Sequence, residues 1–275
     1  MMFFNNFLLR YSGGVSLDIL RDDLENVVAS FEQSARYERE LANDPRFPPL
    51  RFGELAHYEQ TMQLISLCYL LHRRDLLQRI ADLFDGAYAA KDTLYEDLLA
   101  YELYNRFEVD RWYHDKPYRD LINSLYRETP GESVVDIKKY LEEWYRSMEN
   151  TPWHDGHLRM SKGGGGGYFG YWAIEAAAVA YLLQLDDASF RENIVYPQDL
   201  VDYAREFDNK LEGVSEGGTD NSLLRTPAGD PCPKTGFWFT PAQPDSRRFF
   251  TVGQVMPAFS GSEYGATIWQ WSEEQ

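Results

Sequence analysis

The chain has 275 residues, 44% of them hydrophobic and 15% aromatic. That is enough apolar material for one large domain or two smaller ones, and it excludes a disordered polyanion. Against 27 basic residues stand 44 acidic ones, a formal charge of −17; a field of that sign repels nucleic acid and anionic membrane surfaces and steers basic proteins inward.

The amino-terminal stretch MMFFNNFLLRYSGG starts apolar but lacks a basic leading region, an uninterrupted apolar core and a small-residue cleavage site. It does not read as a secretory signal. No window reaches the ~18 continuous apolar residues of a membrane span, and the expected compartment is the cytosol. Helical periodicity begins at Leu17 and continues through Leu20, Leu24, Val27, Val28, Phe31 and Ala35, the stripe of a core-facing helix with Ser16 as its cap. The three prolines of DPRFPPLRFG at 44–53 break that pattern.

A second helix is predicted over 54–72 and a third over 75–89. Lys91 and Asp92 form a joint before a fourth, which turns Leu94, Leu98, Tyr101 and Leu103 inward. Cys68 sits in an apolar helical run and Cys232 between prolines, so neither a disulfide framework nor a cysteine zinc site is indicated. Further helices are predicted over 118–127 and 134–148, with TPGES at 129–133 read as a stop signal.

The run YWAIEAAAVAYLLQL at 171–185 is apolar on nearly every side and predicts a central buried helix. Its one acid, Glu175, is expected to be a structural partner of a tyrosine hydroxyl, backbone amides or an arginine. Pro197 suits a first helical turn, and Leu200, Ala204, Phe207 and Leu211 form the inward stripe of the next helix, to about Gly213. Beyond Val214 the period is lost among glycines, prolines and aromatics, while GFWFT and GATIWQW alternate like strands that pair as a small hairpin. The expected fold is mainly α. Antiparallel helix pairs form a helical N-terminal domain at 1–160 and a helical C-terminal core at 161–213, followed by an irregular aromatic-rich extension at 214–275.

Three patterns invite a chemical reading. SKGGGGGYFGYW at 161–172 satisfies G-x-G-x-x-G from Gly165 to Gly170, but no buried strand precedes it and no G-K-[ST] follows, so the run reads as a flexible joint and no cofactor is expected. His154, Asp155 and His157 carry ligand chemistry at a spacing unsuited to one helix face, and His57, His72 and His114 lie on separate predicted helices. No metal is expected there, although a metal-dependent hydrolase built on that loop stays an alternative. No nucleophile and base are paired by spacing, and no catalytic residue is assigned.

The third pattern is acidic. Between 173 and 216 ten acids face only Arg191, Arg205 and Lys210. Asp199, Asp202 and Glu206 fall at i, i+3 and i+7, opposite the inward stripe, as one negative ridge. With Asp186, Asp187 and Glu192 nearby, the ridge is the candidate surface for a basic protein.

The stretch YFGYWAIEAAAVAYLLQLDDASFRENIVYPQDLVDYAREF at 168–207 resembles the C-terminal domain of bacterial immunity proteins of the PoNi type. The likeness lies in FGYW, AIEAAAVA, the LDD turn and YPQDLVDYA. The amino-terminal helices, with RRDLL at 73–77, resemble the helical N-terminal domain of that family. The resemblance implies a cytosolic, non-enzymatic, helical inhibitor of a cognate toxin, most simply a basic nuclease effector delivered by contact-dependent or type VI secretion. The six acids Asp186, Asp187, Glu192, Asp199, Asp202 and Glu206 would then be toxin-binding residues. A homodimer, and a helical adaptor for another protein, stay open.

Overall fold

A computed structural model describes residues 2–159, 168–215, 225–240, 246–259 and 267–272. Its first element is one that the sequence reading missed: α1, Met2–Ser12, buries Phe4, Phe7, Leu8 and Tyr11, an i, i+3, i+4, i+7 stripe in the apolar stretch at the chain's start. The stripe from Leu20 to Ala35 is buried on α2, Leu17–Ala42, as its period requires. Ser16 stands at the N-cap, but its side chain makes no capping bond.

The central helix α3, Leu55–Leu70, is buried continuously from Tyr58 to Leu70 apart from Gln60. A short 3-10 turn at Arg74–Leu76 leads into α4, Leu77–Tyr88. Asp92 caps α5, Thr93–Ala100, by accepting the Tyr95 N–H at 2.9 Å. Because α5 stops at Ala100, Tyr101 is 41% exposed instead of facing inward, and Leu103 is half-buried.

The segment TPGES does not stop a helix; it starts one. Thr129 and Glu132 form a reciprocal capping box, and Pro130 opens α7, Pro130–Ser147, which packs on α6, Asp115–Leu125. Proline at the first position gives up an N–H that would have no partner in the helix anyway. The apolar run expected to be central becomes α8, Ile174–Leu182, whose residues from Ile174 to Tyr181 are all buried. Next comes α9, Gln198–Ser215. Leu200 and Ala204 face inward with Val201, and Phe207 is half-buried.

The described residues form two compact units, Met1–Asn209 and Lys210–Gln275. In the first, one apolar core runs from Phe4 to Ala204, and α3 packs on α4, α5 and α8. The boundary expected near residue 160 and the glycine run fall at 160–167, outside the described residues.

The second unit is an antiparallel four-stranded sheet in the order β1-β4-β2-β3: β1 Arg225–Pro227, β2 Gly236–Phe239, β3 Arg248–Phe250 and β4 Ile268–Ser272. GFWF and IWQW do pair, with Trp238 opposite Trp271. They are not a hairpin, because β3 intervenes in sequence and takes the other edge of β2. Trp238, Phe250, Met256 and Trp269 fill this unit's own core. Among the described residues no helix is long and apolar enough to cross a membrane.

Candidate functional site

The predicted acidic ridge lies on α9 and on the link that joins it to α8. That link turns Asp187 inward, where only 4% of it is exposed. Its carboxylate accepts from Arg191 at 3.2 Å, from Arg205 at 3.1 Å and from the Tyr196 hydroxyl at 3.1 Å. Arg205 also donates to the Leu185 carbonyl at 2.7 Å, so this cluster clamps the link onto α9. Asp202 is half-buried and bridged by the other guanidinium nitrogen of Arg191.

The remaining four acids are exposed. Asp186 accepts the Ala188 N–H at 3.0 Å, Asp199 accepts the Tyr11 hydroxyl, and Glu192 and Glu206 lie at the surface. Burial and the Asp199 carboxylate together push the Tyr11 hydroxyl far above its ordinary pKa, so it stays a donor. Between Glu192 and Asp199 stands Ile194, 89% exposed. A cleft of about 420 Å³ opens here, with Tyr11, Trp172, Glu192, Ile194 and Asp199 in its lining. Arg191 lines the same cleft, so Ile194 stands among two acids and one cation.

The His154, Asp155 and His157 side chains do not converge. His154 stacks on Tyr145 with ring centroids 4.3 Å apart, and its Nε2 lies 3.1 Å from the Tyr145 carbonyl. Asp155 accepts the Tyr145 hydroxyl at 2.5 Å, while His157 Nδ1 lies 2.7 Å from the Tyr171 hydroxyl. The tyrosines thus hold the loop, and among the described residues no group of three His, Cys, Asp or Glu is arranged to hold a metal ion.

Glu175 is fully buried, as a structural acid should be. Its Oε1 accepts from the Tyr140 hydroxyl at 2.7 Å, the Tyr118 hydroxyl at 3.3 Å and the Trp144 indole at 3.5 Å. A second such acid escaped the sequence reading. Glu59 on α3 is 5% exposed and accepts from Gln63 at 3.1 Å and from the Trp153 indole at 2.6 Å. Burial and the neighbouring Glu175 raise its pKa well above the ordinary carboxylate range, against the lowering effect of the Trp153 bond. The available signal was an acid one turn into a helix that runs LISLCYL from Leu64 to Leu70.

Residues 90–200 match the family described as PoNe immunity proteins (PoNi), C-terminal. The chain carries a PoNi-type C-terminal domain. The matched span runs from the turn before α5 to the first turn of α9, and it includes Asp186, Asp187, Glu192 and Asp199. The match covers the central part of the chain and leaves residues 1–89 and 201–275 outside it. Among solved structures, protein PA2201 from Pseudomonas aeruginosa is similar with a TM-score of 0.56 and 21% identity, over 74% of this chain and 73% of that one. That likeness is one of fold. No curated protein matches the chain.

Proposed function

We propose that this PoNi protein neutralises a basic nuclease toxin in the cytosol, without catalysis, by covering the toxin with the acidic face built on the α8–α9 link. The observation that carries the reading is the coincidence, within one matched segment, of an immunity family and an acid-rich surface. A nuclease must present a basic cleft to phosphates, and a chain of formal charge −17 is drawn to such a cleft by long-range attraction. Asp186, Glu192, Asp199 and Glu206 supply the charge at the face, and Ile194 supplies an apolar centre. Asp187 and Asp202 act one step back, by fixing Arg191 and Arg205 and hence the shape of the link. Delivery of the toxin by type VI or another contact-dependent secretion system fits the same reading.

Stopped-flow association of purified protein with its toxin tests the face. Reversing Asp186, Glu192, Asp199 and Glu206 to lysine is expected to slow association at least ~tenfold at low ionic strength and to flatten its salt dependence. Unchanged rates with a folded variant would place the interface elsewhere.

A further inference from the structure

Among the described residues, three other buried acids are each met by a cation. Glu96 accepts from Arg106 at 2.7 Å, Asp136 from Arg127 and Lys139, and Asp187 from Arg191 and Arg205. Asp92, which has no cation, is a helix cap fed by the N–H groups of Tyr95 and Tyr113 and by the Tyr58 hydroxyl. Glu59 and Glu175 break this pattern. Their hydrogen-bond donors are all neutral, and Glu175 Oε2 is buried with no partner. Leaving an ionised carboxyl in such a place costs several kcal/mol unless it is neutralised by a proton or by a counter-ion.

Glu59 is also reachable. It lines a cleft of about 500 Å³ whose walls include Trp144, Trp153, Trp172, Phe4 and Phe169. Glu54, Asn150 and Pro152 are exposed at its rim. The amide oxygen of Gln60, in the same lining, is buried and has no partner. One wall is held by Gly170, whose φ of +96° and close approach to Ser12 and Trp172 leave no room for a side chain. Aromatic faces and two acceptor groups, with no arginine or lysine in the lining, form a receptor for a positive charge on a hydrocarbon stem.

We propose that this cleft receives an arginine or lysine side chain of the bound protein partner, with its charge against the Glu59 carboxyl and its stem among the tryptophans. The proposal rests on the basic-toxin reading above and deepens it, by naming a buried anchor beside the steering face. Tryptophan walls supply no metal donors, whereas a cation from a protein finds both π-faces and carboxylate. Buried anchors of this kind concentrate binding energy in an otherwise flat interface. The ionisable groups around Glu59 are Glu175 on α8, Tyr118 on α6 and Tyr140 on α7, with His57 on α3 and Glu54 at its N-cap in the same cleft lining; Glu54 is already bridged to Arg51. Burial and Glu175 raise the pKa of Glu59 and so favour its protonated form, whereas a cation in the cleft favours the carboxylate; uptake of a cation therefore shifts the acid toward losing its proton.

The test uses the full chain with N-acetyl-arginine amide, and with N-acetyl-norleucine amide as a neutral probe of similar reach. Tryptophan fluorescence reads binding, and calorimetry in two buffers of different ionisation enthalpy counts protons. The arginine probe is expected to give saturable quenching with proton release, at least ~tenfold weaker in Glu59→Gln, and the norleucine probe none. Equal binding of the two probes, no binding of either, or undiminished arginine binding by Glu59→Gln would overturn the proposal. Should Glu59→Gln fail to fold, Gln60→Lys places a tethered cation in the cleft and is expected to block the probe; unblocked binding overturns the proposal equally. With the toxin itself, Glu59→Gln is expected to raise Kd at least ~tenfold. A folded Glu59→Gln protein that binds and neutralises toxin as the wild type does removes the anchor and leaves the immunity reading standing, whereas wild-type protein that ignores the toxin removes the immunity reading while the arginine probe still decides the cleft.

Discussion

Among single residues, Glu59 and Glu175, buried without a cation as Asp92 also is, shape how stability should change with pH. Glu59 and Glu175 both have their pKa raised, in each case mainly by burial. A group whose folded pKa exceeds its unfolded one binds more protons in the native state, so it subtracts stability as pH climbs from the ordinary carboxylate value toward the folded one. Glu59→Gln removes that loss for one of the pair. The Tm advantage of this variant over wild type should therefore be smallest below pH ~4 and grow as pH rises above the unfolded glutamate pKa; a difference independent of pH between 4 and 8 would contradict the assignment. Asp187, by contrast, is met by two arginines. Asp187→Ala is expected to cost about 3 kcal/mol in denaturant unfolding by stranding Arg191 and Arg205, against under ~0.5 kcal/mol for exposed Glu192→Ala. The sequence placed both acids on one surface because they are close in the chain. What separates them is Arg205, eighteen positions on in α9, and that contact exists only after the chain folds.

At the scale of elements, most helices were visible as periods, while their ends were decided by capping chemistry. TPGES looked like punctuation because Pro and Gly stop helices more often than they start them, yet Thr129 and Glu132 form the capping box that begins α7. Thr129→Ala should lower unfolding stability by about 1 kcal/mol, read by denaturant titration. The helix α1 escaped notice because its stripe lies in a stretch weighed mainly as a possible signal, and because no capping residue marks its start. Its tie to the rest of the unit is specific: the Ser12 hydroxyl donates to the Phe169 carbonyl at 2.7 Å and accepts the Trp172 indole N–H at 2.8 Å. Gly170 passes between these groups, and a Cβ there would lie 2.1 Å from Ser12 Oγ and 2.3 Å from Trp172 Nε1. Gly170→Ala should therefore cost more than ~2 kcal/mol and alter tryptophan fluorescence, while Gly131→Ala, with open space around it, serves as the control. The pairing of GFWF with IWQW was legible from alternation alone. The four-strand order was not, since alternation identifies strands without saying which neighbour each one takes.

For the whole molecule, charge and family converge on one account. The formal charge of −17 fits the proposed basic partner, and the PoNi match over residues 90–200 fits the proposed pairing of immunity protein and toxin. The acid-rich segment and FGYWAIEAAAVA were both readable in the sequence, because one is composition and the other a local motif. The tryptophan cleft around Glu59 was not, since its walls come from α1, α3, α7 and two loops that meet only in the folded chain. The central claim is that this protein neutralises a toxin. The direct measurement is survival of a toxin-sensitive host that expresses the cognate toxin with or without this chain, with soluble accumulation of the chain verified in the same cells. The account predicts that survival is restored with the wild-type chain and lost when Asp186, Glu192, Asp199 and Glu206 are reversed together. Continued killing in cells that hold abundant, folded wild-type protein would contradict it.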